Sequence, residues 1–127
     1  MIKNRVYGFR YWDKETKSFA YWNSKLNNLE FFWKDAYKFN FPVMEQIGLE
    51  DKHGYDIYRY DILYHSKHET TTLVIWDEKL ACFNAIDEAG GSNFYQTLDS
   101  PNLAVIGNRF NNPELWKGDY GRIDNNE

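Results

Sequence analysis

Four aspartates, Asp13, Asp51, Asp56 and Asp61, stand beside runs of turn-forming residues and are the first candidates for chemistry. Two carboxylates brought together would make an acid–base pair, and several would hold a hard cation. Their spacing matches no loop pattern that gathers carboxylates. The histidines, His53, His65 and His68, offer the second route. On a helix, His65-x-x-His68-Glu69 would bring three ligands together, but the segment reads as a polar connection between two strands. Residues three apart in extended chain lie on opposite faces. A zinc site would also want a fourth group or water, and Cys82 is the only thiol. Cys82 lies in the apolar run Leu80-Ala81-Cys82-Phe83, which predicts a buried, unreactive side chain and not a nucleophile. Gly90-Gly91 lacks the following Lys and helix of a phosphate-cradling loop. These residues predict no catalytic group, no metal and no cofactor.

A denser signal lies in the aromatics. Phe31, Phe32, Trp33, Tyr37, Phe39 and Phe41 fall within eleven positions, interleaved with Lys34 and Lys38. A strand buries one face and a helix one stripe, so some of these rings should point away from the core. Exposed aromatics are enriched at protein contacts, which predicts a partner surface or a homo-oligomer interface. Aromatics with basic neighbours could also stack single-stranded bases, and this is the rival reading of the same segment. A metal-dependent enzyme is the third reading.

The elements that would position these groups are mostly strands. Aromatic residues make up 19% of the chain, and they suit a pleated, half-buried surface. Val6 to Trp12 and Phe19 to Trp22 read as a hairpin about a polar turn at 13–17. Leu26 to Phe41 is ambiguous: Leu26, Leu29, Phe32 and Trp33 have helical spacing, whereas Phe39 and Phe41 alternate like a strand. Further strands are predicted at 43–47, ended by Gly48, at 57–58, 61–64, 71–76 and 80–86, and at 103–106, ended by Gly107. Gly54 fits a turn that needs positive φ. Asp13, Asp51 and Asp61 should accept backbone N–H bonds beside turns. Trp12, Tyr58 and Trp76 should fill the core. Asn108 and Asn112 should bracket a turn into a short C-terminal helix, with Asn112 as cap and Pro113 in the first position. The tail 119–127 is polar and is expected to be flexible.

The chain has 127 residues and a formal net charge of -4. Such a length fits a single domain, 1–127, with a core that needs no disulfide or metal. Residues 1–76 carry eleven Lys/Arg and ten Asp/Glu, whereas residues 77–127 carry four and nine. That balance argues against general duplex binding, which wants a basic stripe. No apolar run has membrane-spanning length, and no signal-peptide core follows Met1-Ile2-Lys3-Asn4-Arg5. The expected location is the cytoplasm of a host cell.

Three segments together resemble the YopX family of phages and prophages. Phe9-Arg10-Tyr11-Trp12-Asp13-Lys14-Glu15-Thr16-Lys17 is similar to its N-terminal F-R-x-W-D-x-x-x-K pattern. Gly48 to Ile62 is similar to G-L-x-D-x-x-G-x-x-I-Y-x-G-D-I. Val105 to Leu115 is similar to V-I-G-N-x-x-x-N-P-E-L. The resemblance spans nearly the whole chain. It implies an all-β fold with a small SH3-like barrel or half-barrel in the second half, and a place among phage accessory proteins. It implies no reaction, so no catalytic residues are carried over. Tyr60 departs from the pattern, standing where the family usually has Gly before the Asp. A tight backbone conformation there would leave Tyr60 more exposed or repacked.

Overall fold

Alternation along the first strand, β1 (Gly8–Asp13), sends Phe9 and Tyr11 to one face and Arg10 and Trp12 to the other. Each face then gathers its own core. The structure, a computed structural model, describes residues 8–23 and 29–118. Val6, Tyr7, Leu26 and the tail 119–127 lie outside the described residues.

β1 pairs antiparallel with β2 (Ser18–Asn23), as the hairpin reading expects, and with β3 (Val43–Glu50). β3 carries the short β4 (Asp56–Tyr58), giving the sheet order β2-β1-β3-β4. Residues 29–39 resolve the ambiguous segment as one helix, α1 (Leu29–Phe39). Phe32 and Ala36, four apart, bury against Tyr11, with Phe9, Ala20, Trp22, Phe41 and Val43 around them. Phe39 and Phe41 are not strand residues. Asn40 takes φ 54, the Asn40 N–H donates to Tyr37 O and the Phe41 N–H donates to Ala36 O. That is a Schellman stop with Asn in the left-handed position. Pro42 then turns the chain into β3.

The second sheet holds β5 (Asp61–His65), β6 (Thr70–Asp77), β7 (Cys82–Asp87) and β8 (Leu103–Asn108) in the order β7-β6-β5-β8. It is a half-barrel, so the mainly β fold is as expected. Ile57, Leu63, Val74 and Leu103 pack between the sheets, together with Ile47, Leu49, Phe83 and Val105. Trp116 returns to cover Ile62 and Leu73, with Ile75 and Ile86 beside them. Two 3-10 segments, Phe94–Leu98 and Ser100–Asn102, join β7 to β8.

Several expectations are corrected. Gly48 does not end β3. It sits inside the strand at φ 87, where the pairing register with β4 shifts between Gln46 and Glu50. Gly107 is likewise within β8, and a Cβ there would lie 2.8 Å from Leu115 Cδ1 and 2.9 Å from Asn112 Cβ. Trp76 is 41% exposed, because it lies on β6 beyond the end of the inter-sheet core. The C-terminal helix is a single 3-10 turn, Pro113–Leu115, and the Asn112 side chain does not cap it; the Asn112 carbonyl accepts the Leu115 N–H instead. The loss of about 1 kcal/mol expected for removing a cap at Asn112 therefore has no structural basis.

Asp51, by contrast, does what its position suggested and more. Its Oδ1 accepts the N–H of His53 and Tyr55, while Oδ2 reaches across the chain to the Val105 N–H at 3.0 Å. The Lys52 N–H donates to Leu103 O. This turn, with Gly54 at φ 82, thereby satisfies part of the outer edge of β8. Burial pushes the Asp51 carboxyl up, but the bonds from Val105, Tyr55 and His53 outweigh it and hold it below its usual value. A lowered carboxyl contributes stability that is complete above the unfolded value, near about 3.9, and is lost as pH falls through the folded one. Asp51→Ala should cost about 1–3 kcal/mol at neutral pH by urea denaturation, the penalty of an orphaned buried donor. The gap from the unaltered protein should narrow as the pH drops below about 4. A gap unchanged with pH would contradict this role.

Candidate functional site

The three sequence motifs converge on one buried ion pair. Arg10, on the inward face of β1, reaches Asp61 at the start of β5 through its Nη2. The guanidinium lies between the rings of Phe19, at 4.2 Å, and Tyr58, at 4.3 Å. Asp61 Oδ2 accepts the Tyr58 N–H at 2.8 Å. The Asn108 side chain also bonds to Asp61, while Asn108 Oδ1 accepts the Phe110 N–H at 2.7 Å. Trp12 packs with Met44 and Tyr58 around this centre. Burial pushes the Asp61 carboxyl up; Arg10, the Tyr58 N–H and Asn108 pull it back. Burial and the nearby Asp56 push the Tyr58 phenol to about 12, so it stays neutral. Both oxygens of Asp61 are spent on protein groups, which makes this centre a structural joint.

The other carboxylates are not gathered here. Asp13 Oδ1 accepts the Glu15 and Thr16 N–H groups in the β1–β2 turn. Asp56 begins β4 and Asp51 lies in the turn before it. Among the described residues, no three or more His, Cys, Asp or Glu side chains form a group that could hold a metal ion.

The histidines depart from the sequence reading. Residues 66–69 form a tight turn, not extended chain, so the rings of His65 and His68 stack at 4.8 Å. His65 is buried and contacts Asp99 Oδ2 through Nε2 at 2.7 Å, and the His68 N–H donates to its Nδ1 at 3.2 Å. An Nδ1 that accepts requires the proton on Nε2. Both ring nitrogens are thus committed, and His65 ties β5 to the 3-10 segments. The signal lay in Asp99-Ser100-Pro101-Asn102, but a contact 34 residues away in sequence is not visible from local pattern.

The aromatic segment divides between core and surface. Phe32, 4% exposed, is core, and Phe41 stacks on Tyr11 at 5.3 Å. Phe31 is 69% exposed and Tyr37 92%, while Trp33 and Phe39 are partly exposed. Trp33 also leans edge-on to Phe9 at 5.1 Å. Cys82 is exposed, which corrects its reading as a buried hydrophobe: β7 begins there, paired with Asp77 at the mouth of the hairpin.

Tyr60, which departs from the family pattern, has an unusual backbone too. It adopts φ 69, the left-handed region that suits Gly, at a cost of roughly 1–2 kcal/mol for a residue with a Cβ. Its N–H donates to Val74 O and its carbonyl accepts from the Arg109 N–H, so the chain on both sides holds it there.

A two-sheet, mainly β protein whose sequence motifs meet in a closed polar joint is the class that the fold defines. The chain belongs to the YopX family: residues 4–117 match the family model described as YopX protein. Among solved structures it is similar to the crystal structure of protein EF1440 from Enterococcus faecalis, at 18% identity and a TM-score of 0.57. That match covers 86% of this chain and 96% of the other, and it supports the fold alone. No curated protein matches the sequence.

Removing one partner of the joint strands a buried charge. Arg10→Met should destabilise the protein by about 3–5 kcal/mol. Adding Asp61→Asn should recover part of that loss, because the stranded carboxylate is then gone. Urea unfolding of the single and double variants checks this, and strictly additive losses would refute the pairing. Cys82 should react with a thiol reagent in the native protein about as fast as in urea, since it is exposed. Strong native protection would show that it is covered.

Proposed function

We propose that this chain is a phage or prophage accessory protein that acts without catalysis, by binding another protein through the outer face of α1. The observation that carries the reading is the exposure of Phe31 and Tyr37 on a helix whose opposite side is already spent on the core. Trp33 and Tyr37 are four apart and so are Lys34 and Lys38, which places an aromatic row beside a basic one. Such a face suits a partner surface that is apolar with an acidic margin. A second copy offers one, because residues 77–127 carry nine Asp/Glu against four Lys/Arg. A host defence or replication factor is the finer reading of the partner, supported by the family's association with phages. The enzyme reading loses ground, since Asp13, Asp51, Asp61 and His65 are committed to internal hydrogen bonds.

Phe31→Ser and Tyr37→Ser together should leave stability within about 0.5 kcal/mol, as exposed substitutions do. They should abolish concentration-dependent assembly measured by light scattering. Phe32→Ser should instead unfold the protein, because that ring is core. An unaltered protein that stays monomeric at high concentration would refute the homo-oligomer, and normal assembly by the double variant would place the interface elsewhere.

A further inference from the structure

The 3-10 segment Phe94–Leu98 is folded inside out. Its polar residues are buried: Gln96 is 1% exposed, and Thr97 lies beside it. Its apolar residues meet water: Tyr95 is 58% exposed, Leu98 62%, and Phe94 is exposed as well. A buried amide and an exposed apolar cluster are each unusual, and here one turn carries both. Gln96 Nε2 donates to Asn93 Oδ1 and to the Tyr95 hydroxyl, both at 3.4 Å. Its Oε1 is buried without a hydrogen-bond partner among the described residues. The segment is held in this orientation, since the Asn93 N–H donates to Ala85 O on β7 and the Thr97 hydroxyl donates to Phe94 O. Carboxylates stand at both ends. Asp87 accepts Asn93 Nδ2 at 2.9 Å before the segment, and Asp99 closes it. Bonds from Gly91 and Asn93 hold the Asp87 carboxyl below its usual range, and bonds from Asn102 and His65 do the same for Asp99, so both are charged at neutral pH. Exposed Glu88 adds a third negative charge, and Lys67 near Asp99 offsets one.

The outer face of α1 has the opposite character. Each helical residue turns about 100°, so Lys34 and Lys38, two positions either side of buried Ala36, lie on the side away from it. Phe31 is three residues before Lys34 and Tyr37 three after, which flanks the lysines with exposed rings. We propose that the inverted segment is the docking surface for α1 of a second copy of the chain: Phe31 and Tyr37 of one copy pack on Phe94, Tyr95 and Leu98 of the next, with Lys34 and Lys38 set against the carboxylates at the segment's ends. The inference rests on the reading of α1 as a binding face and names what that face meets. Charge selects this pairing over the alternatives between copies. Helix against helix would oppose lysines to lysines, and segment against segment would oppose carboxylates to carboxylates. Two unlike faces therefore pair, and the contact is head-to-tail.

The test is light scattering of the full chain over a concentration series. It compares the unaltered protein, Phe31→Ser with Tyr37→Ser, and Tyr95→Ser with Leu98→Ser, each variant being checked for folding by thermal denaturation. Either double variant alone should assemble at least about tenfold more weakly. Mixed one to one, the two should form a two-chain species, because the mixture keeps one intact helix face and one intact segment. Lys34→Glu with Lys38→Glu should weaken assembly about tenfold at low salt. That difference should fade near about 1 M salt, where charges are screened beyond about 3 Å. Normal assembly by the Tyr95 and Leu98 variant would overturn this inference and leave the α1 reading standing with a different mate. Normal assembly by the Phe31 and Tyr37 variant would remove α1 from the interface and end both. A mixture that stays monomeric would refute the head-to-tail contact. An unaltered protein that is monomeric at high concentration would exclude the second copy as occupant and leave α1 to a foreign partner.

Discussion

A guanidinium and a carboxylate taken out of water together, Arg10 and Asp61, set the terms for the rest of the molecule. Desolvating two charges is expensive, and their attraction offsets that only when the remaining hydrogen-bonding groups are also met. The surroundings supply what is needed. Phe19 and Tyr58 sandwich the cation, and the Tyr58 N–H and Asn108 bond to the anion. Within the joint, Arg10 Nε is left without a hydrogen-bond partner. Arg10 comes from the first sheet and Asp61 from the second, so the pair specifies how the two sheets meet. An apolar pair could supply similar burial but would tolerate sliding; a charge pair in one geometry does not.

The inter-sheet core follows from that alignment. Ile57 on β4 and Leu63 on β5 lie in one apolar cluster, although the strands belong to different sheets. Only the corner at Arg59 and Tyr60 separates β4 from β5. A corner so short forces an unusual backbone, which Tyr60 supplies at φ 69. The Asp51 turn then fixes β8 from the other side through Val105. Loop, corner and joint are thus coupled: each holds a strand end that another needs in place.

Committing the polar side chains inward has a consequence for function. Asp13, Asp51 and Asp61 accept backbone N–H groups, Asp61 also pairs with Arg10, and His65 bonds Asp99. Among the large side chains that the fold leaves exposed are Phe31 and Tyr37 on α1 and Trp76 on β6.

The sequence by itself determined the strand-rich class, most strand positions and the family, because side-chain type and turn chemistry act locally. The three motifs were visible as strings, and Asp51 was rightly placed beside a turn. Tyr60 stands out only against the family pattern, which usually has Gly there, and its backbone does take a positive φ. Which rings would be core was not decided locally: Phe32 and Phe31 are neighbours, yet one is buried and the other exposed, since only the direction of α1 against β1 separates them. Trp76 and Cys82 misled for the same reason, their apolar runs continuing past the point where the opposite sheet stops covering them. The contacts of Arg10 with Asp61 and of His65 with Asp99 span 51 and 34 residues, so tertiary structure alone turned candidate reactive groups into joints. Long-range pairing is fixed by packing geometry, and no window along the chain contains it.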